Sequence, residues 1–96
     1  MTKSVILLNT TPPHKKYYIV ELYVDNSSYT VTGVWGRLGA RGRSKIWYQG
    51  PGHYSAGNAV QDLINTRLEH GYQIHQESSE RAQDKVSEVE AFLFNL

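Results

Sequence analysis

Cysteine is absent from this 96-residue chain, so neither a disulfide framework nor a thiolate zinc site adds to its stability. Folding must rest on packing alone, which a reducing compartment allows. Long apolar runs are missing too. No stretch of about 18 apolar residues occurs, and the opening MTKSVILL is too short for a signal peptide with its cleavage site. The expectation is one small domain without a membrane span, soluble and cytoplasmic, with 40% hydrophobic residues available for a core.

Catalytic patterns are also lacking. There is no nucleophile elbow and no spaced carboxylate pair, and the glycine spacing fits neither a dinucleotide fingerprint nor a Walker A loop. The histidines are His14, His53, His70 and His75. The last two are separated by a helix-ending glycine and do not share a helical face. No metal, no cofactor and no enzymatic activity are expected.

Acidic residues are scarce where basic ones gather. The net charge of +1 hides an asymmetry: residues 1–75 carry eight Lys/Arg against four Asp/Glu, and residues 76–96 carry two against five. The stretch Val34 to Trp47 (VWGRLGARGRSKIW) contains no acid at all. Arg37, Arg41, Arg43 and Lys45 can neutralise phosphates there, and Trp35 and Trp47 offer flat apolar faces. Gly36, Gly39 and Gly42 permit tight turns or close approach to a ligand. Its composition fits a polyanion site. Gly39 to Gly42 is also a GxxG, but strands rather than helices flank it, which excludes a KH loop. Trp35 ends a strand and is read as an exposed stacking platform, whereas Trp47 lies inside a strand and is read as core.

The pattern along the chain predicts an α+β fold, with a small antiparallel sheet of three to four strands, one helix across a face and a C-terminal helix. Ser4 to Asn9 reads as an edge strand, closed by Thr10, Thr11, Pro12 and Pro13. Tyr17 to Val24 is β-branched and aromatic with Glu21 as its one charge, which suits a central buried strand. Asp25 to Ser28 supplies a hairpin loop built around a type I turn. Tyr29 to Trp35 alternates with period two, and Ser44 to Gln49 returns antiparallel to it.

After Gly50, Pro51 and Gly52, Ser55 is the expected N-cap of a helix from Ala56 to His70, stopped by Gly71 at C′. Its apolar stripe runs through Ala56, Ala59, Val60, Leu63, Ile64 and Leu68. Ser78 or Ser79 is expected to cap a second helix, in which Ala82, Val86, Val89, Leu93 and Leu96 form a short heptad seam. That seam serves either packing within the domain or a homodimer or partner-protein contact through residues 80–96. The expected division is 1–75 for the main domain and 76–96 for an acidic helical extension.

Trp35, Gly36 and Arg37, followed by Leu38, Gly39, Gly42 and Lys45, resemble the WGR domain. Tyr17, Tyr18 and Ile19 through Leu22 resemble its YY-aliphatic strand, Asp25 its acidic hairpin, and Gly71 with Tyr72 its helix-ending GY. Asn9 and Thr11 stand where the poly(ADP-ribose) polymerase relatives have an Asn-rich loop. The likeness covers roughly Val5 to Tyr72. It implies a small antiparallel sheet with a helix across one face and, as in the polymerase relatives, binding at DNA breaks. On that likeness Trp35 packs against a strand-end sugar, Asn9 helps hold the 5′ phosphate, and Arg37 makes a phosphate or interdomain contact. The polymerase relatives carry a catalytic domain that this chain lacks, as the stand-alone bacterial members do.

The expected function is therefore a non-catalytic DNA-binding module, with RNA as a further nucleic-acid partner because stacking and backbone charge do not separate the sugars. It would use Trp35, Gly36, Arg37, Gly39, Arg41, Arg43, Lys45 and Asn9. Little sequence readout is expected, because the cations lie on a turn rather than on a groove-entering helix. The rival is a protein-interaction module whose basic face meets an acidic partner, or its own acidic tail.

Overall fold

The computed structural model describes all 96 residues. The elements, in order, are β1 (Thr2–Asn9), β2 (Lys16–Asp25), β3 (Ser28–Arg37), β4 (Arg43–Gly50), α1 (His53–Glu69), β5 (Gln73–Ser78) and α2 (Ala82–Phe94). The strands form one antiparallel sheet in the order β4-β3-β2-β1-β5.

The continuous apolar runs of β1 and β2 follow from a helix on each face of the sheet. Side chains alternate along a strand. Leu7, Tyr18, Val20 and Val31 therefore pack under α1 with Ala56, Leu63 and Tyr72. Ile6, Leu8, Tyr17 and Ile19 point the other way and pack under α2 with Ala82, Val89 and Leu93. A buried Leu, Ile or Val contributes about 1.5–3 kcal/mol, and both layers have several, so neither helix is an accessory.

The sheet has five strands, not three to four. QIHQES of β5 lacks the apolar alternation of a strand because it is a largely exposed edge strand, met by α2 where His75 packs on Phe92, and it forms by pairing with β1. β1 is consequently internal rather than an edge, in keeping with the complete burial of Ile6 and Leu7. The expected division after residue 75 falls inside β5, and α2 closes one of the two cores. The heptad seam is spent on that core, since Ala82, Val89 and Leu93 are buried against the sheet and Val86 packs beside them. Phe92, Phe94 and Leu96 stay exposed.

Three local expectations change as well. The β2–β3 turn is a two-residue turn at Asn26 and Ser27, with φ of 46° and 65°, the left-handed pair that suits the twist of a hairpin better than a type I loop. α1 starts at His53 behind Gly52 with no side-chain cap, so Ser55 lies inside the helix. Its end is as expected. Gly71 is left-handed (φ 89°), its N–H bonds Leu68 O and the Tyr72 N–H bonds Arg67 O, forming a Schellman motif. α2 is capped by neither Ser78 nor Ser79. The buried Glu21 carboxylate, across the sheet in sequence, accepts the Ala82 N–H at 2.7 Å and both Nε and Nη2 of Arg81 at 3.0 and 3.2 Å.

Gly36 and Gly42 have a packing reason. A Cβ at Gly36 would lie 2.8 Å from the Tyr17 hydroxyl, and one at Gly42 2.7 Å from the same atom. Tyr17 is a rigid buried ring that cannot swing aside, so Gly36→Ala should destabilise the fold by about 1–3 kcal/mol. Urea unfolding checks this, and Tyr17→Phe in the same chain should restore part of the loss by removing the crowded oxygen.

The buried tyrosines give an alkaline limit to stability. Burial pushes the Tyr17 phenol above its ordinary value, with Glu90 adding to it. Burial likewise raises Tyr18 and Tyr72, against the nearby Arg67 charge. Lys85 is raised too, chiefly by its bond to Glu88. All four groups keep their protons better folded than unfolded. Their contribution is complete below pH about 10 and is lost as pH climbs through the raised values. The urea midpoint should be level from pH 7 to about 9 and fall beyond about 10.

Candidate nucleic-acid interface

The register of the sheet builds the site. Asn9 on β1 faces Lys16 on β2, which faces Arg37 on β3; one step inward, Tyr18 faces Trp35, which faces Arg43 on β4. Tyr18 belongs to the α1 layer, so both rows lie on the α1 side, at the end of the sheet where α1 terminates. There the last residues of β3 and the turn to β4 leave a cleft of about 430 Å³, lined by Lys16, Trp35, Gly36, Arg37, Ala40, Arg41, Arg43 and Tyr72.

Four of those side chains are cations and none is acidic. The molecule's salt bridges join Arg81 to Glu21 and Lys85 to Glu80 and Glu88; none involves Lys16, Arg37, Arg41, Arg43, Lys45 or Arg67. Like charges directly opposite on neighbouring strands destabilise a sheet, and Lys16 stands opposite Arg37. An unneutralised cluster of this kind is a surface suited to an anion. A second depression of about 340 Å³, lined by Pro13, His14, Lys15, Lys16 and Arg37, adjoins the first and shares Lys16 and Arg37 with it. The basic surface thus continues from the β3–β4 turn to the β1–β2 loop.

Trp35 forms an aromatic wall of the cleft. It is half-buried, not freely exposed, and lies parallel to the Tyr18 ring with centroids 5.6 Å apart. Packing fixes its plane before any ligand arrives. The Arg67 guanidinium covers Tyr18 at 4.7 Å from the ring centroid, and its buried Nε has no hydrogen-bond partner. Tyr72, held by the Schellman turn, forms another wall, with Lys16 Nζ 5.9 Å from its ring centroid.

Of the residues expected from the sequence, Trp35, Gly36, Arg37, Arg41 and Arg43 meet at this cleft. Gly39 shapes the turn with φ of 83° and has open space around it. Lys45 sits further along β4, its Nζ 4.1 Å from the centroid of the Trp47 ring. Asn9 is 4% exposed and lies behind the cleft. Its Nδ2 donates to His70 O at 3.3 Å and its Oδ1 accepts the Thr11 N–H at 3.2 Å, so it ties the β1–β2 loop to the end of α1. Trp47 is not core: it is 46% exposed on the edge strand. Lys16, Arg67 and Tyr72 were not anticipated as site residues. Lys16 had a signal, since the β2–β3 hairpin pairs it with Arg37.

Five of the nine acidic residues lie in β5, the turn after it and α2, the helix on the opposite face of the sheet; the other four, Glu21, Asp25, Asp62 and Glu69, are on β2 and α1, and none of the nine lines the cleft. α2 is fixed there by Val89, Leu93 and the Glu21 cap. From there Glu90 shares a further depression, at the β3–β4 turn, with Arg41 and Arg43.

Comparison with protein families gives one match, to the WGR domain, over residues 4–85. The chain belongs to the WGR domain family. That family comprises non-catalytic, nucleic-acid-binding modules. The match extends past Tyr72 through β5 and into α2, consistent with α2 belonging to the same packed unit. Curated proteins and solved structures gave no significant match. No helix of this WGR domain is long and apolar enough to cross a membrane.

Proposed function

We propose that this WGR domain binds DNA at ends or nicks, holding a 5′-phosphorylated strand end in the cleft between the β3–β4 turn and the end of α1. The observation that carries the reading is four cations in no salt bridge, Lys16, Arg37, Arg41 and Arg43, around one cleft walled by Trp35 and Tyr72 with no acid in its lining. Backbone phosphates are the ligands such a cluster takes, and an indole fixed by stacking on Tyr18 offers its remaining surface to a sugar or base. A strand end suits the cleft better than continuous duplex because the groups converge from three elements onto one short opening. Asn9 acts behind the site, holding the loop that carries His14 and Lys15.

Fluorescence anisotropy with intact, nicked and 5′-phosphorylated duplexes at two salt concentrations tests this on the wild type and on Trp35→Ala. The expected result is salt-dependent binding, tighter to the phosphorylated ends and nicks, with Trp35→Ala weakening the end preference about tenfold. Absence of salt-dependent binding to every duplex would leave only the protein-interaction alternative. Equal affinity for intact and broken duplex removes the end preference alone, and a parallel RNA duplex reads the sugar.

A further inference from the structure

Trp47 stands where a tryptophan should be hidden. It lies in β4, the outer strand of the sheet, at a break in the register: Val31 pairs with Tyr48 and Thr32 with Ile46, leaving Trp47 as the additional residue of a bulge. Bulges re-aim side chains. Here the indole nitrogen is turned inward, over Gly33 and toward the Tyr18 hydroxyl, while 46% of the residue remains in solvent. The polar edge of the ring is thus directed at the sheet, and part of its apolar surface remains accessible.

Its surroundings are basic. Lys45 Nζ lies 4.1 Å from the Trp47 ring centroid, and Arg43 and Lys45 oppose Trp35 and Gly33 from the same face of β4. Residues two apart on a strand stand about 6.6–6.8 Å apart, so these cations form a row along the edge. β4 carries no acidic residue. Arg43 is also a lining residue of the cleft, which makes the row continuous with that site. Tyr18 links the two indoles, stacking on Trp35 and meeting Trp47 through its hydroxyl.

We propose that the β4 edge binds an unpaired, single-stranded nucleic-acid segment that continues from the strand held in the cleft, with a base stacking on Trp47 and phosphates on Arg43 and Lys45. The proposal rests on the reading of the cleft as a nucleic-acid site. A flat apolar ring among unpaired cations is the combination that single strands take, because every base has a face to stack and every linkage a charge. A fully paired duplex keeps its bases stacked on one another and has none to offer Trp47.

The test uses the full chain with a 5′-phosphorylated blunt duplex and with duplexes carrying a short oligothymidine overhang at the 3′ or the 5′ terminus. Anisotropy is measured for the wild type, Trp47→Phe and Trp47→Leu. The wild type should bind at least one overhang probe about tenfold tighter than the blunt duplex. Trp47→Phe, which keeps an aromatic face, should retain most of that gain. Trp47→Leu, of similar apolar bulk but with no ring, should lose it while binding blunt duplex within about twofold of wild type. No gain from an overhang in the wild type, or a gain that survives in Trp47→Leu, overturns the proposal. Blunt-duplex binding without an overhang gain overturns this proposal alone; failure to bind any probe overturns it together with the function proposed for the cleft.

Discussion

Replacing Arg37 and Arg43 together with glutamine should lower affinity for a 5′-phosphorylated duplex about 100-fold at moderate salt and flatten the salt dependence by about two. Each guanidinium that neutralises a phosphate contributes a slope of about −0.9 in log K against log salt, so removal of two leaves a fixed deficit of about 1.8. A hydrogen bond to a charged group is worth about 1.5–3 kcal/mol. Both arginines are exposed, so the lower figure applies, and two such losses come to about 3 kcal/mol. The fold should not suffer. Neither arginine is in an ion pair, and removing the charge of Arg37 relieves Lys16 directly opposite it. Titrations between about 50 and 200 mM salt, with a urea melt of each variant, check both halves. Loss of affinity with an unchanged slope would mean that the two side chains act through the shape of the turn rather than through phosphate charge. Lysine at both positions should keep the slope and recover only part of the affinity, because a point charge lacks the planar fork that grips two phosphate oxygens.

The central hairpin was legible because its periodicity and its partners agree. Tyr17 to Val24 is apolar on both sides, which only a strand between two packed layers tolerates, and the turn residues from Asp25 fix the pairing that brings Lys16 to Arg37 and Tyr18 to Trp35. That pairing is the same whether the turn holds two residues or four, so the opposition of two cations was already present in the sequence. α1 was legible from its stripe and from Gly71, although its start was not, since Gly52 supplies only backbone at the N-cap.

What was not legible depends on contacts distant in sequence. β5 has a single large apolar residue, Ile74, and becomes a strand only because β1 has a free edge to pair with. Trp47 reads as core by composition, and a bulge that nothing in SKIWYQ announces turns it partly outward. The glycines of the basic stretch illustrate the same limit. Read alone, Gly36 and Gly42 look like room for a ligand, but the space beside each is filled by the Tyr17 hydroxyl on the α2 side of the sheet. What the stretch presents to the cleft is its side chains, and Gly39 is where the backbone itself needs a left-handed residue. Asn9 follows suit. Its position in the sequence matched a phosphate contact, and the bonds it makes to His70 and Thr11, which tie the loop to α1, join residues too distant in sequence to be read there.

Glu21→Ala should cost about 2–3 kcal/mol of stability, a large loss for one polar side chain. Glu21 is the charge inside an otherwise apolar central strand and is 4% exposed. Its carboxylate makes three hydrogen bonds, one to the Ala82 N–H and two to Arg81. The Arg81 side chain is 51% exposed, so it can return to water and its share of the loss is small. The Ala82 N–H cannot, because Ala82 is buried. It would be left without an acceptor at the first turn of a helix, beside the void left by the missing side chain. For a domain of this size each kcal/mol moves Tm by about 4–8 °C, so a fall of about 10–20 °C is expected by circular dichroism. Glu21→Gln keeps an oxygen for the Ala82 N–H and gives up the charge, and should cost about 1 kcal/mol. If the two substitutions were equally harmful, the charge on Arg81 rather than the cap would carry the effect. Hydrogen exchange should locate the damage in α2, whose loosening uncovers Ile6, Leu8, Tyr17 and Ile19. The cleft lies across the sheet from that helix. Below the lowered melting point, Glu21→Ala should therefore bind phosphorylated duplex as the wild type does, separating the cap that holds the fold together from the cations proposed to meet the nucleic acid.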